Sequence, residues 1–451
     1  MGKFLIILVC GCLLGSDVWV AKINGTPILE ASFYNYIPKG EWLGISEKNK
    51  KEKLFFGFLK QQAAVLGAKK IGLQYDIETT NKLNARFNMM LVNEYYMRYF
   101  LGTVTPHFAL SFCKQNLKNE LYVKHILLKH SERDVEMLAN AIKDSIVVGG
   151  NFSTFALRYS DDPGVSANEG LLGWVSLGQT VPEFQDGIFS LCVGCLGVVE
   201  TEFGFHVVKV DSVRQSRYGL LEQDMYDDYA FRFATAYIKE PLKDLAANHD
   251  SLLVSQHGVR FNEAALLELV NLIKLEQERP ANKTRKDVDV VSILQNYQKV
   301  VLEYDGNLLS GAWFAHKINS SLHKSVFYTS LAEIKKDFTT IVLRDIAFNL
   351  SLDLGLQFGS TFKSQYENIK AGVLERAFLK DLMGSVSLPS QQEVEDYFLK
   401  NKKHNQTLEV AYSSIEAILL QEKQKKKKED FLVGIEKQKN IIINDGWLYG
   451  D

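Results

Sequence analysis

Residues 121–128 read LYVKHILL, and residues 201–210 read TEFGFHVVKV. Apolar side chains recur at every second position in each stretch, the mark of a strand with one buried face. Val123, His125 and Leu127 share a face of the first stretch; His206, Val208 and Val210 share a face of the second. Each apolar face therefore carries one histidine. A lone histidine in such a place is most often a core residue with its nitrogens satisfied. Two of them, on strands that can neighbour in one small sheet, can bond to each other, fix their tautomers and order a pocket.

The intervening residues supply helices and loops. Val135–Ile146 is periodic as a helix, with Leu138, Ala141, Ile142 and Ile146 as its apolar stripe, and Gly149-Gly150 stops it. Phe152, Phe155, Ala156 and Tyr159 recur at i, i+3, i+4 and i+7, a second amphipathic helix. A loop rich in Ser, Asp, Asn and Gly runs from Ser160 to Gly170. A strand at Leu171–Val175, a third helix near Pro182–Ser190 and a strand at Gly197–Thr201 complete the segment.

These residues resemble the parvulin (rotamase) peptidyl-prolyl cis/trans isomerases. The resemblance is carried by Val123-Lys-His125-Ile-Leu-Leu, by FALRYSDD at Phe155–Asp162, by GLLGW at Gly170–Trp174, by VPEF at Val181–Phe184, and by TEFGFHVV from Thr201. It covers residues 121–213 in order. It implies an α+β domain, a four-stranded antiparallel sheet with surrounding helices, whose active site lies on the sheet's concave face. It also implies a role for each matching residue. His125 and His206 are the buried pair, Asp162 faces the substrate peptide bond, and the Thr201 hydroxyl joins the histidine network. Leu172 and Phe184 form the apolar wall around the proline ring. Thr180 stands on the substrate side where the family often has Met, and Leu171 where an acidic residue is common. Lys129 and Arg133 stand with Glu132 and Asp134 rather than in a basic cluster, so no phosphorylated substrate is implied. The mechanism requires no nucleophile, metal or cofactor.

Working outward, the chain repeats itself. VWVAKINGTPILE at residues 18–30 and KVVLEYDGNLLS at 299–310 each read as strand, Asn-Gly or Asp-Gly turn, strand. AKKIGLQY at 68–75 matches LDLGLQF at 352–358, and FCKQN at 112–116 matches YFLKN at 397–401. The amphipathic helices between these landmarks end at Val104-Thr105 and Val386-Ser387, and the spacing of the copies stays at about 281–285 residues. The expected organisation is a helical segment at 17–120, the parvulin unit at 121–213, a helical connection at 214–298, and a C-terminal helical segment at 299–451 that repeats the first. Helices are expected at Tyr226–Glu240 and Glu263–Glu278, and short strands at Val259–Phe261 and Asn440–Asn444. Lys425–Lys428 reads as a solvated helix face.

Residues 1–16 read as an export signal, with Lys3 before the apolar run Phe4–Leu14. Val9-Cys10-Gly11-Cys12 resembles a lipoprotein box with Cys12 as the lipidated residue; cleavage near Ser16 is the other route. Beyond the signal stand Cys113, Cys192 and Cys195, an odd count that is no disulfide framework. Cys192-Val-Gly-Cys195 reads as a local turn disulfide or two free thiols, and a zinc site would need two further ligands. The 451 residues carry a formal charge of −2, which gives no electrostatic case for nucleic acid. A parvulin unit between helical segments behind an export signal is similar to the SurA/PrsA class of extracytoplasmic foldases. That resemblance implies a periplasmic protein, soluble or held by a lipidated Cys12, whose partners are unfolded exported or outer-membrane polypeptides with X-Pro bonds. It leaves open whether the isomerase turns over or only binds.

Overall fold

The computed structural model describes residues 18–130, 134–278, 289–320, 328, 330–401, 407–437 and 440–449. The expected signal, Cys10 and Cys12, and the pair Glu132 and Arg133 lie outside them. The fold is α+β. In chain order the strands among the described residues are β1 (Trp19–Ile23), β2 (Thr26–Leu29), β3 (Asn119–Lys129), β4 (Leu171–Ser176), β5 (Leu196–Thr201), β6 (Gly204–Gln215), β7 (Arg260–Phe261), β8 (Val300–Tyr304), β9 (Asn307–Ser310) and β10 (Ile441–Ile443). They form three sheets, ordered β10-β1-β2, β4-β3-β6-β5 and β7-β8-β9. The chain divides into two compact units, residues 1–38, 45–80 and 367–451 in one, and 39–44 and 81–366 in the other.

The four-stranded sheet is antiparallel throughout, and β3 and β6 are its long central pair. Alternation gives it two buried faces. Ile126, Leu128 and Val207 point to one, covered by the helices Val135–Val147 and Phe152–Tyr159. Leu121, Val123, Val208 and Val210 point to the other, covered by Phe184 and Ile188 of the helix Pro182–Phe189. The histidines lie in register with this second set. Local chemistry starts each helix. The carboxylate of Asp134 accepts from the Met137 N–H, and the Asn151 amide oxygen accepts from the Thr154 N–H. Pro182 occupies the first turn of the third, where its missing N–H costs nothing.

Two expected elements are corrected. The stripe of the first helix is Val135, Ala139, Ile142 and Ile146, whereas Leu138 is 41% exposed and Ala141 also faces solvent. The sequence permits either phase, because apolar residues stand at 138, 139, 141 and 142; packing on the sheet selects the set that includes Val135. The helix expected at Tyr226–Glu240 spans Gln223–Ala234 and tightens into a 3₁₀ turn at Thr235–Tyr237. Glu240 precedes a proline, which disfavours helix, and Tyr237 is turned into a buried cluster.

Around the sheet, the second unit builds a further core. Helices Glu263–Gln277, Val290–Asn296, Gly311–Ser320 and Leu331–Asp353 pack with β7-β8-β9, and Phe314 stacks on Phe338 at 3.7 Å. In the first unit, Phe33, Phe55, Phe58 and Trp447 pack ring to ring beside β10-β1-β2. Cys192 and Cys195 form a disulfide in the turn before β5, and Cys113 is a buried thiol. Lys425, Lys426 and Lys427 are exposed on the helix Leu408–Glu436.

The observed phase of the helix Val135–Val147 sets a clear contrast. Ile142→Ala is expected to destabilise the full chain by about 2–5 kcal/mol in denaturant unfolding, whereas Leu138→Ala should change it by less than about 0.5 kcal/mol. The opposite order would restore the stripe that includes Leu138.

Candidate active site

The outer edge of β3 is covered in two different ways, and this places the site. Its first half pairs with β4 from Glu120 to Lys124. From His125 onward the loop takes over. The His125 N–H donates to Gly170 O (2.8 Å), the Leu127 N–H to Ser160 Oγ (3.1 Å), the Asp161 N–H to Leu127 O (2.7 Å), and the Lys129 N–H to Asp161 Oδ2 (2.9 Å). Gly170 has φ +82°, and a Cβ there would sit 2.6 Å from His125 O. Only glycine fits so close to the strand. The loop therefore runs along the strand edge and delivers Asp162 beside His125.

Four polar side chains then join across the sheet face. His125 Nε2 lies 3.3 Å from Asp162 Oδ2, His125 Nδ1 lies 3.4 Å from His206 Nδ1, and His206 Nε2 lies 2.9 Å from Thr201 Oγ1. The imidazoles are stacked, 5.7 Å apart and 16° from parallel. An ionised Asp162 can only accept, so His125 donates from Nε2 and accepts at Nδ1. His206 must then donate from Nδ1 and accept at Nε2 from the Thr201 hydroxyl. Thr201 Oγ1 in turn accepts from the Phe203 N–H at 3.2 Å. The direction of every bond follows from the charge at one end.

The electrostatics agree with two neutral rings. Burial, foremost, lowers the His125 pKa against the opposing pull of Asp162. His206 is pushed down to about 4, by burial first and by its neighbour His125 second. Partial burial works against ionisation of Asp162, but the Gly164 N–H, His125 and Asn168 outweigh it, and its carboxyl lies below the ordinary range. Phe184 closes the apolar side, its ring 5.0 Å from His206 and 6.0 Å from His125, near perpendicular to both.

His125, Asp162, Thr201, His206 and Phe184 are thus brought together. Leu172 lies at the irregularity in the β3–β4 pairing and is 38% exposed. Thr180 lies in the loop before the third helix, its hydroxyl buried and without a hydrogen-bond partner among the described residues. Sequence reasoning missed three contributors. Ser160 accepts both the Leu127 and Asp162 N–H groups, and His130 Nε2 meets Thr201 O at 3.0 Å. Gln185 bonds outward from the third helix to Tyr237. A serine just before an Asp-Asp pair is a recognisable turn signal, and could have pointed to Ser160.

Residues 110–214 match the family model of the PPIC-type PPIase domain. The foldase protein PrsA of Geobacillus kaustophilus (strain HTA426) is 31% identical over 159 residues, 34% of this chain and 52% of that protein. The chaperone SurA of Nitrosococcus oceani (strain ATCC 19707 / BCRC 17464 / JCM 30415 / NCIMB 11848 / C-107) is 37% identical over 107 residues, 23% of this chain and 25% of that protein. A crystal structure of a PpiC-type peptidyl-prolyl cis-trans isomerase domain is matched at 28% identity over 22% of this chain and 95% of that one, with a TM-score of 0.21. The chain thus spans about half of the first relative and a quarter of the second.

The depressed His206 pKa fixes a pH dependence. The unfolded chain takes up a proton near the ordinary histidine value of about 6.5, the folded chain only near about 4. The stabilisation is therefore complete above the unfolded value and is lost as pH falls through the folded one. Between roughly pH 6.5 and 4 this amounts to on the order of 3 kcal/mol. His206→Gln should flatten the fall of melting temperature over that window; a fall as steep as in the unsubstituted chain would exclude a buried neutral His206.

Proposed function

We propose, with residues 110–214 forming a PPIC-type PPIase domain, that the protein is a peptidyl-prolyl cis/trans isomerase and folding chaperone for exported polypeptides. The observation that carries the reading is the unbroken bond chain from Thr201 through His206 and His125 to Asp162, set against the Phe184 ring. Rotation about an X-Pro bond is opposed by amide resonance, and the barrier is about 18–20 kcal/mol. Uncatalysed isomerisation takes tens of seconds or longer. A proline ring held on Phe184 and Leu172 leaves the preceding carbonyl free to swing. Loss of water favours the twisted amide, which is less polar than the planar one. The Asp162 carboxylate and the oriented imidazoles supply fixed charge and dipoles around the rotating carbonyl, with no reorganisation needed during the step. No covalent intermediate is required, and neither Cys192 nor Cys195 takes part.

The chaperone half of the reading rests on the relatives named foldase and chaperone and on apolar surface. Within the first unit Tyr75, Ile77, Leu399 and Val410 are strongly exposed, as suits transient contact with unfolded chains. Export through the N-terminal signal, with either lipidation at Cys12 or cleavage near Ser16, belongs to the same proposal. Among the described residues no helix is long and apolar enough to cross a membrane. A second reading is a binding-only chaperone in which the pocket holds X-Pro peptides without useful turnover. It is favoured by Thr180, a smaller and polar side chain where the family that this segment resembles often has Met, and by Leu171, where an acidic residue is common.

The full-length protein should accelerate cis/trans exchange of a tetrapeptide X-Pro bond. Asp162→Ala should lower kcat/KM at least about tenfold, equivalent to roughly 1.4 kcal/mol in the barrier. Exchange no faster than the uncatalysed rate in the unsubstituted protein, with peptide still bound, would establish the binding-only reading.

A further inference from the structure

The helix that carries Phe184 is fastened from behind. Gln185, only 2% exposed, accepts the Gly178 N–H and donates to Tyr237 Oη at 3.0 Å; Tyr237 donates to the Asp186 carboxylate. Tyr237 belongs to a cluster with Cys113, Leu117, Ala230 and Leu177 that joins the flanking helices His107–Asn116 and Gln223–Ala234. The loop bearing Thr180 is held by the same elements. Leu177 is buried in that cluster, and a Cβ on Gly178 would lie 2.4 Å from the Phe233 ring. So both elements on the proline side of the site, the Thr180 loop and the Phe184 helix, take their position from residues outside the sheet. Burial and the Asp186 carboxylate hold the Tyr237 hydroxyl in its donating form.

We propose that Tyr237 is a positioning residue for the isomerase site, acting through Gln185 and Asp186 on Phe184 and the Thr180 loop. This rests on the isomerase reading above. In the full-length protein, Tyr237→Phe should raise KM for a proline tetrapeptide roughly three- to tenfold while kcat changes less than about twofold. The melting temperature should stay within a few degrees, which a merely structural loss would not allow. An unchanged KM, with Asp162→Ala inactive, would overturn the positioning role alone. If the unsubstituted chain does not exceed the uncatalysed rate, it is the isomerase reading that fails. Should Tyr237→Phe not fold, Phe233→Leu slackens the same loop from its other support and carries the same expectation.

A different observation concerns the two hairpins. β1 and β8 bury the same positions, Val20, Ala21 and Ile23 against Val301, Leu302 and Tyr304. Their turns share left-handed backbone at Asn24-Gly25 and Asp305-Gly306, and their pairing shifts at the same place. Each accepts a third strand in one register: Ala21 and Lys22 face Ile443 and Ile442, and Leu302 and Glu303 face Phe261 and Arg260. The bonds flanking these strands agree at one end and are shifted by one residue at the other. Asn444 N–H donates to Val20 O and Asn262 N–H to Val301 O; Asn24 N–H donates to Asn440 O and Asp305 N–H to His257 O. Yet β10, which joins the first hairpin, lies in the C-terminal segment that begins with the second hairpin, and β7, which joins the second, lies in the connection that follows the first copy. The alignment that pairs Gly72 with Gly355 also pairs Ala68 with Ser351 and Leu91 with Leu374. Ala68 packs with Leu374 in one unit, and Ser351 Oγ donates to Leu91 O at 2.8 Å in the other. The division into units cuts the copies at nearly equivalent places, after Thr80 and after Tyr366.

We infer that the chain is a tandem duplication whose copies have exchanged halves, the N-terminal half of each folding with the C-terminal half of the other. The partner that each half requires is a second copy, and fusion supplies it within one chain at high effective concentration. Only the first copy carries the isomerase insertion; in the second, the helix Leu408–Glu436 follows Gln391–Asn401 directly. In full-length protein, Lys22→Cys with Ile442→Cys and, separately, Arg260→Cys with Glu303→Cys should oxidise to cross-links within one chain, leaving a monomer on a non-reducing gel. A protease site placed within residues 280–288 should yield fragments that still co-elute until denatured. Interchain cross-links, or cut fragments that separate as folded monomers, would overturn the exchange.

Discussion

A neutral imidazole buried in a sheet face must place one donor and one acceptor, or lose their hydration without return. His125 and His206 meet that demand on each other, and the remaining nitrogens then need an acceptor at one end and a donor at the other. Asp162 and Thr201 supply these. Much of the local structure serves this condition. The Ser160 hydroxyl and the Asp161 N–H and carboxylate take the place of a strand along β3, the loop returning to His125 at Gly170, and the β5–β6 turn holds the Thr201 hydroxyl against His206. A pocket polar on one side and walled by Phe184 on the other is the outcome.

The strands of this sheet were legible because alternation and histidine placement are written into consecutive residues. Asp162 was legible only through resemblance, since nothing local announces that a loop residue will lie beside a histidine 37 positions earlier. The phase of the helix Val135–Val147 was ambiguous for a plain reason: two overlapping apolar stripes exist, and tertiary contact with the sheet chooses between them. Tyr237 was hidden more deeply. It sits where the helical periodicity of the sequence continues, and its proposed role rests on a bond from Gln185, 52 positions earlier in the chain. The hairpins were visible from Asn-Gly and Asp-Gly, and the short strands at Val259–Phe261 and Asn440–Asn444 from their apolar residues, but nothing local tells which hairpin each one joins.

The sheet and its flanks form one mechanical system in the second unit. The face with the histidines is closed by a helix whose opposite side is bonded to Tyr237 and packed on Phe112. In the inferred duplication, one isomerase insertion serves two copies of the surrounding segment.

The bond chain across the sheet is tested most directly by ¹⁵N NMR of the ring nitrogens of His125 and His206 at pH 7. The arrangement described here predicts two neutral rings, His125 protonated at Nε2 and His206 protonated at Nδ1. An imidazolium at either position, or a proton on His206 Nε2, would contradict it.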